Sequence, residues 1–293
     1  MGNTKAIGID LGATRIKGVV LELETGRMLA TEMLATEKEG SWKKSVSELV
    51  TRLRGEESSV GVGIAAPGLV AEDARSIASM PGRMQGLEGF DWQEFLGLPV
   101  SVINDAHAAL TAEVNYGVAA NLENVVMLTL GTGVGGGVWL NGKLYLGKQG
   151  RAGHLGHISL DAGSLHSGIT GIPGSLEDAI GNATVHHRTY GKYADTQALV
   201  EAFRSGEPLA TWAWLSSLRQ LAVGIASLIN VFSPEMVVLG GGITSAGNAL
   251  FGPLKTFMDI FEWRPTAREV PIRKAHFNEW SGAVGAAAQF KYQ

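Results

Sequence analysis

Apolar residues along this chain recur with two periods, and each change of period marks a predicted element. Between residues 6 and 35 the runs AIGIDL, IKGVVLEL and MLATEML are short, aliphatic and separated by turn residues, so they predict three strands. Glu24-Thr25-Gly26-Arg27 makes the second turn. Over 41–54 Val46, Leu49, Val50 and Leu53 take the spacing of one helix face, with Ser41 as the cap. VGVGIAAPG (60–68) reads as a buried strand stopped by Pro67. PVSVIND (99–105) is another strand, ended by Asn104-Asp105, and AHAALTAEVNYG is the helix that follows. The pattern then restarts. VVMLTL, GVWLN and GKLYLG predict strands, with Asn141-Gly142 as a hairpin turn. Residues 151–175 are glycine-rich and irregular, as a binding loop would be. Helices are expected at about 175–190, 195–204 and 208–231, then a strand MVVLGGGIT running into a glycine turn, and a helix over 245–260. VPIRKAHF is a last strand and SGAVGAAAQF a last helix.

Strand–hairpin–strand followed by alternating helices and strands thus occurs twice. The expectation is an α/β protein of two lobes with a duplicated βββαβα-type core and a cleft between the lobes. Residues 1–118 form the N-terminal lobe, completed by a C-terminal helix at 281–293, and residues 119–280 form the C-terminal lobe.

Two strand–turn–strand segments look like versions of one device. IGIDLGATRIKGV (7–19) and TLGTGVGGGV (129–138) each pass through a turn of small residues that leaves backbone N–H groups uncovered, so an anion can approach closely. Two such turns predict a grip on the phosphates of one nucleotide from both sides. Other readings of these glycines stay open: a plain hairpin at 131–136, and a tight strand exit at Gly240-Gly241-Gly242. Gly131, Gly133 and Gly136 have dinucleotide-type spacing, but a strand follows where a helix is required, so that reading fails. No Walker-type glycine–lysine loop occurs.

Composition narrows the partners. The 293 residues are about the length of two domains. Apolar residues make 45% and charged residues 18%, and the net charge is −4 without a basic stripe, so nucleic acid is not an expected partner. With no cysteine the chain holds no disulfide and no thiolate metal site. No leader is visible and no apolar run approaches the roughly 20 residues that span a bilayer, so a cytoplasmic enzyme without membrane contact is expected.

The acidic candidates sit where strands end. Asp105 closes an apolar strand, and ligands of open α/β sheets collect beyond such ends. A carboxylate there can take a proton from a sugar hydroxyl during phosphate transfer. It can equally be a helix N-cap. Asp10 is a plain strand end or a ligand of magnesium through water. His154 and His157 lie three apart, a metal-like spacing on a helix, but Gly153 and Gly156 argue for a loop.

DLGATRIKG, GIAAPG, INDAHAA, TLGTGVGGGV, AGHLGH, GSLEDAIG and VVLGGG, in this order, resemble the ROK family of sugar kinases and related repressors over nearly the whole chain. The resemblance implies the two-lobed actin-like (ribonuclease H-like) ATPase fold and ATP-dependent phosphorylation of a hexose or amino-hexose. It implies ATP and Mg2+ as cofactors, with Asp10 holding the metal indirectly. It places phosphates at Asp10, Gly12, Ala13, Thr14 and Lys17 and at Gly131, Thr132, Gly133 and Gly135, and adenosine near Gly240, Gly241 and Gly242. It casts Asp105 as general base and puts Asn104, His154, His157, Glu177, Pro67 and Gly68 around the sugar. A homodimer is expected.

The chain departs from the family pattern at three places, all on the sugar side. His154 stands where members read glutamate in Gly-Glu-x-Gly-His. The zinc motif Cys-x-Cys-Gly-x-x-Gly-Cys-x-Glu, aligned on Glu177, puts Gly168, Thr170 and Ser175 at its cysteines while Gly171 and Gly174 persist, so zinc is not expected. SMPGRMQG replaces an asparagine-containing segment. The alternative to a kinase is a sugar-sensing regulator or an idle sugar binder. The first motif begins at residue 7, so a preceding helix-turn-helix domain is not expected.

Overall fold

The computed structural model describes residues 4–36, 42–55, 60–80, 84–166, 168 and 170–292. Ser41, expected as a cap, and residues 81–83 of SMPGRMQG lie outside the described residues. Packing divides the chain into two compact units: Met1–Leu122 with Leu144–Ala152 and Ala275–Gln293, and Glu123–Lys143 with Gly153–Lys274. Both units are discontinuous: the first takes in Leu144–Ala152 as well as the C-terminal segment.

The first unit contains β1 (Lys5–Leu11), β2 (Arg15–Glu22), β3 (Met28–Ala35), α1 (Trp42–Arg54), β4 (Gly61–Ala66), β5 (Leu69–Val70), β6 (Ile77–Ser79), α2 (Trp92–Leu96), β7 (Val100–Asn104) and α3 (Asp105–Tyr116). The second contains β8 (Val125–Leu130), β9 (Val134–Leu140), the first residue of the short strand β10 (Lys143–Leu144), α4 (Leu176–Ile180), α5 (Val185–Arg188), α6 (Thr196–Arg204), α7 (Pro208–Phe232), β11 (Met236–Gly240), α8 (Asn248–Phe261) and β12 (Ile272–Lys274). The last helix, α9 (Ser281–Ala288), returns to the first unit.

The main sheets have the same order, β3-β2-β1-β4-β7 and β10-β9-β8-β11-β12. In each, an antiparallel hairpin (β1–β2, β8–β9) continues into parallel strands (β4 and β7, β11 and β12). The expected duplication is therefore present strand for strand. Parallel pairing aligns the carboxyl ends of β1, β4 and β7, and separately those of β8 and β11. That is the edge where α/β sheets collect ligands.

Small residues set the packing of the first unit. A Cβ at Gly8 would lie 1.8 Å from the Ala283 carbonyl oxygen, one at Gly63 1.9 Å from that of Ala286, and one at Gly285 1.7 Å from that of Ala108. Backbone thus meets backbone where α9 crosses β1, β4 and α3, which explains the SGAVGAAA composition. On the other face α1 buries Trp42, Val46, Leu49 and Val50, and Trp42 packs on Trp92 with ring centroids 5.4 Å apart. In the second unit Trp214, Leu218, Leu221 and Ile225 of α7 form the core with Val126 and Leu128 of β8. α7 corrects one expectation. At 25 residues it is long and apolar enough to cross a membrane by length and composition, although Arg219, Gln220 and its serines break the apolar run. Half of its most apolar window is buried in the protein.

Other departures have tertiary causes. The helix expected over 175–190 is split into α4 and α5. Between them Asn182 and Ala183 donate their N–H groups to the carbonyls of Gly131 and Thr132, both at 2.9 Å, instead of continuing the helical ladder. The strand expected over 270–277 shrinks to β12, because His276 and Phe277 donate to Glu113 Oε1 at 2.8 and 3.0 Å. The strand expected over 142–147 shrinks to Lys143–Leu144, and β9 starts earlier than expected, at Val134. The β5–β6 pair and α2 are too short to have shown a period.

Candidate active site

In the first unit three strand ends supply the chemistry. β1 ends in Asp10-Leu11, β4 leads into Pro67-Gly68, and β7 ends in Asn104, after which Asp105 opens α3. The cap of α3 is Asn104. Its Oδ1 accepts from the N–H groups of Ala106 (3.0 Å) and His107 (3.2 Å), and its Nδ2 donates to the Gly68 carbonyl at 3.1 Å. Gly68 is fixed there by a φ of 105°, and a Cβ would meet the Ser79 carbonyl oxygen at 2.7 Å. Asn104 is 5% exposed and committed to this work, whereas Asp105 stands exposed at the first helical position, Oδ1 accepting from the Ala106 N–H at 2.8 Å.

Asp10 lies opposite Lys17 in the β1–β2 register. The first turn of α9 closes on its carboxyl: a Cβ at Gly282 would lie 2.7 Å from Asp10 Cγ. The residue is half-buried by area, yet protein encloses the carboxyl itself. Burial raises its pKa to about 7, the charge of Asp105 adds to the rise, and Lys17 opposes it. Lys17 Nζ donates to the Glu279 carbonyl at 2.8 Å. Gly12 opens the exposed turn through Ala13 and Thr14, its N–H donating to the Arg15 carbonyl at 3.1 Å and its carbonyl accepting from Thr36 Oγ1 at 2.7 Å.

The second unit builds its turn on Glu177. Gly131, Thr132 and Gly133 connect β8 to β9, and the Gly131 N–H donates to the Gly133 carbonyl at 2.9 Å. Beneath the turn Glu177, 4% exposed, accepts the Val134 N–H on Oε2 at 3.0 Å and Thr170 Oγ1 on Oε1 at 3.4 Å. A Cβ at Gly133 would sit 2.0 Å from Glu177 Oε2. The carboxylate expected at the sugar therefore supports the glycine turn. Gly135 pairs with Thr129 inside β9. Gly241, with φ 85°, rests on the Leu130 backbone, where a Cβ would lie 2.3 Å from the carbonyl oxygen. The glycine exit of β11 thus lies beside the 131–133 turn, Gly240 pairing with Thr129 and Gly242 following.

His154 and His157 flank a short 3-10 turn with parallel rings, centroids 5.9 Å apart. Gly156 allows that turn to touch β9, since a Cβ there would be 1.9 Å from the Val134 carbonyl oxygen. His157 Nδ1 is buried without a hydrogen-bond partner among the described residues. The positions matching the zinc cysteines have other work. Ser175 caps α4 in a box with Asp178, Thr170 bonds Glu177, and Gly168 backs onto Asp178. No cluster of three or more His, Cys, Asp or Glu able to hold a metal occurs among the described residues.

Sequence reasoning missed Gly282, Glu279, Asn182 and Ala183. The small-residue run in α9 was the available signal for the first; the others act through backbone atoms and left none.

A sequence model of the ROK family matches residues 6–293. The glucokinase of Thermotoga maritima is 31% identical, with 99% of this chain and 98% of that protein covered. The N-acetylmannosamine kinase of Yersinia pseudotuberculosis is 28% identical over 97% of both chains. A ROK family glucokinase from Streptomyces griseus, solved in complex with glucose and AMPPNP, superposes with a TM-score of 0.81 at 26% identity, covering 99% of this chain and 100% of that one. The duplicated sheets are thus those of the actin-like ATPase fold. With a family match from the first strand to the last residue, the chain belongs to the ROK family.

Proposed function

We propose that this chain phosphorylates a hydroxyl of a hexose or amino-hexose at the expense of ATP, with Asp105 as general base. The observation that carries the proposal is the division of labour at the start of α3. Asn104 takes the N-cap, and the carboxylate of Asp105, which accepts the Ala106 N–H, stands exposed at the strand end. In the reaction Asp105 accepts the hydroxyl proton while the sugar oxygen attacks the γ-phosphorus; the bond to the bridging oxygen breaks, and ADP leaves with that electron pair. Phosphate recognition falls to the turns at 12–14 and 131–133, and adenosine to Gly240–Gly242. Glu177 acts as a positioning residue for the second turn.

The donor set fits Mg2+: Asp10 offers hard carboxylate oxygen, and the charge of Asp105 acts on it as a second negative group that a divalent cation would offset. Bound with Asp10, the ion would neutralise charge on the transferring phosphate. The sugar side is assigned to Pro67, Gly68, His154 and His157, with Asn104 holding Gly68 in place through its Nδ2. His154 stands where the family's glutamate accepts hydrogen bonds, and the relatives differ in their named sugar. The same histidine favours the second reading, a ROK protein that binds sugar without turnover.

Asp105→Asn tests the role. The variant is expected to fold and bind sugar but to turn over about 100- to 10,000-fold more slowly. Near-normal turnover in a folded variant would remove Asp105 from the chemistry.

A further inference from the structure

α5 and α7 line an open surface pocket of about 650 Å³ within the second unit, whose residues the kinase reading does not use. Arg188, Arg219, His186 and His187 bring cationic or titratable groups to it, Tyr190 and Trp212 bring aromatic rings, and no carboxylate is among its described lining residues. In a chain of net charge −4 this is a local reversal of sign. Arg188 is held by neutral acceptors. Its Nε donates to Thr184 Oγ1 at 3.1 Å, its Nη2 to the Gly181 carbonyl at 2.8 Å, and its Nη1 to Ser217 Oγ. Asp178 acts on it through space, without an ion pair among the described residues. Burial lowers the guanidinium to about 10, the mark of a cation enclosed without full compensation. Arg219 sits over the Phe261 ring at 5.7 Å and also has no carboxylate partner among the described residues.

The aromatic pair is built with equal care. Tyr190 takes a left-handed backbone, φ 52°, followed by Gly191 at 83°. A bulky residue rarely adopts this conformation, and such strain gathers at binding sites. It leaves the Tyr190 ring 81% exposed, near-parallel to that of Trp212, itself 54% exposed, with 6.4 Å between centroids and 18° between planes. A flat ring inserted between two others needs roughly 7 Å, two carbon contacts of about 3.5 Å each. The centroid separation of 6.4 Å lies below that, so the two exposed rings part slightly to admit one. A sugar chair has no flat π face to fill it; a nucleobase has two.

We infer that this pocket is a second nucleotide site, taking a nucleoside monophosphate with its base between Tyr190 and Trp212 and its phosphate on Arg219 and Arg188. The guanidinium fork matches phosphate oxygens, and the paired rings supply stacking that tolerates any base.

The test is binding to the full chain followed by tryptophan fluorescence and equilibrium dialysis, with AMP, ribose 5-phosphate, adenosine and inorganic phosphate as probes. AMP is expected to quench part of the emission, and each fragment to bind at least about tenfold more weakly. Trp212→Phe should remove the quench, and Arg219→Glu should weaken AMP by about tenfold or more. Both residues are exposed, so the variants are expected to fold, and their circular dichroism and melting check it. AMP held only by the glycine turns would survive both substitutions and overturn the inference. So would inorganic phosphate binding as tightly as AMP, an absent quench, or a dimer that Arg219→Glu and Trp212→Ala separate into monomers without any AMP bound at this face. None of these readouts uses turnover, so the result stands apart from the kinase proposal.

Discussion

The environment of Asp10 costs the fold stability, and the cost has a sign. Its folded pKa, about 7, lies above the ordinary 3.8, so the folded chain holds the proton more tightly than the unfolded one. Stability from this group is fully present below pH 3.8 and is lost as pH rises through 7. Without divalent cations, Asp10→Asn should be more stable than the parent at pH 8, by on the order of 1–3 kcal/mol after allowance for partial exposure, and the gap should close toward pH 4. Urea denaturation of both proteins across that range measures it; parallel curves would contradict the assigned burial. The proposed determinant of the sugar is a second residue, His154. Glutamate at 154 would accept hydroxyl hydrogen bonds with full charge, whereas neutral histidine offers one donor and one acceptor. His154→Glu is therefore expected to shift preference toward glucose or an N-acetyl hexosamine, read as kcat/KM ratios; an unchanged ranking would mean that His154 only packs its loop. At this scale the sequence showed which residue types gather at strand ends but left their labour open. Asp105 read equally as a base or as a cap, and only hydrogen-bond geometry assigns the cap to Asn104. Glu177 could not be placed under the 131–133 turn because its partner, the Val134 N–H, is a backbone group 43 positions away.

The glycine turn is an element in which chain and support are one. Gly133 faces Glu177, and Asn182 and Ala183 tie the turn to the segment after α4. Gly133→Val should push Glu177 from the Val134 N–H and raise KM for ATP more than KM for sugar, as a phosphate-binding turn requires. Equal effects in a folded variant would make the hairpin structural only. Long periodic elements were legible: β1–β3, β8, α3, α7 and α8 follow from alternation, helical spacing and turn chemistry. The split of 175–190 and the shortening of 270–277 were not, since long-range backbone hydrogen bonds compete there with local propensity.

The whole molecule is a duplicated sheet whose units each gather candidate ligands at the carboxyl ends of parallel strands. The duplication was legible because the strand–hairpin pattern restarts near residue 125. The return of the C-terminal helix to the first unit was expected; that of 144–152 was not, because discontinuity leaves no compositional mark. Family membership fixes the fold and leaves the sugar open, since the chain departs from the family pattern at His154, Thr170 and Ser175. The most direct test is ADP release by the full chain with MgATP, followed across glucose, mannose, fructose, allose and the N-acetyl hexosamines. The account predicts release that depends on both sugar and Mg2+, with glucose not clearly the best acceptor. Release indifferent to every sugar, or none at all from a folded protein, would contradict it.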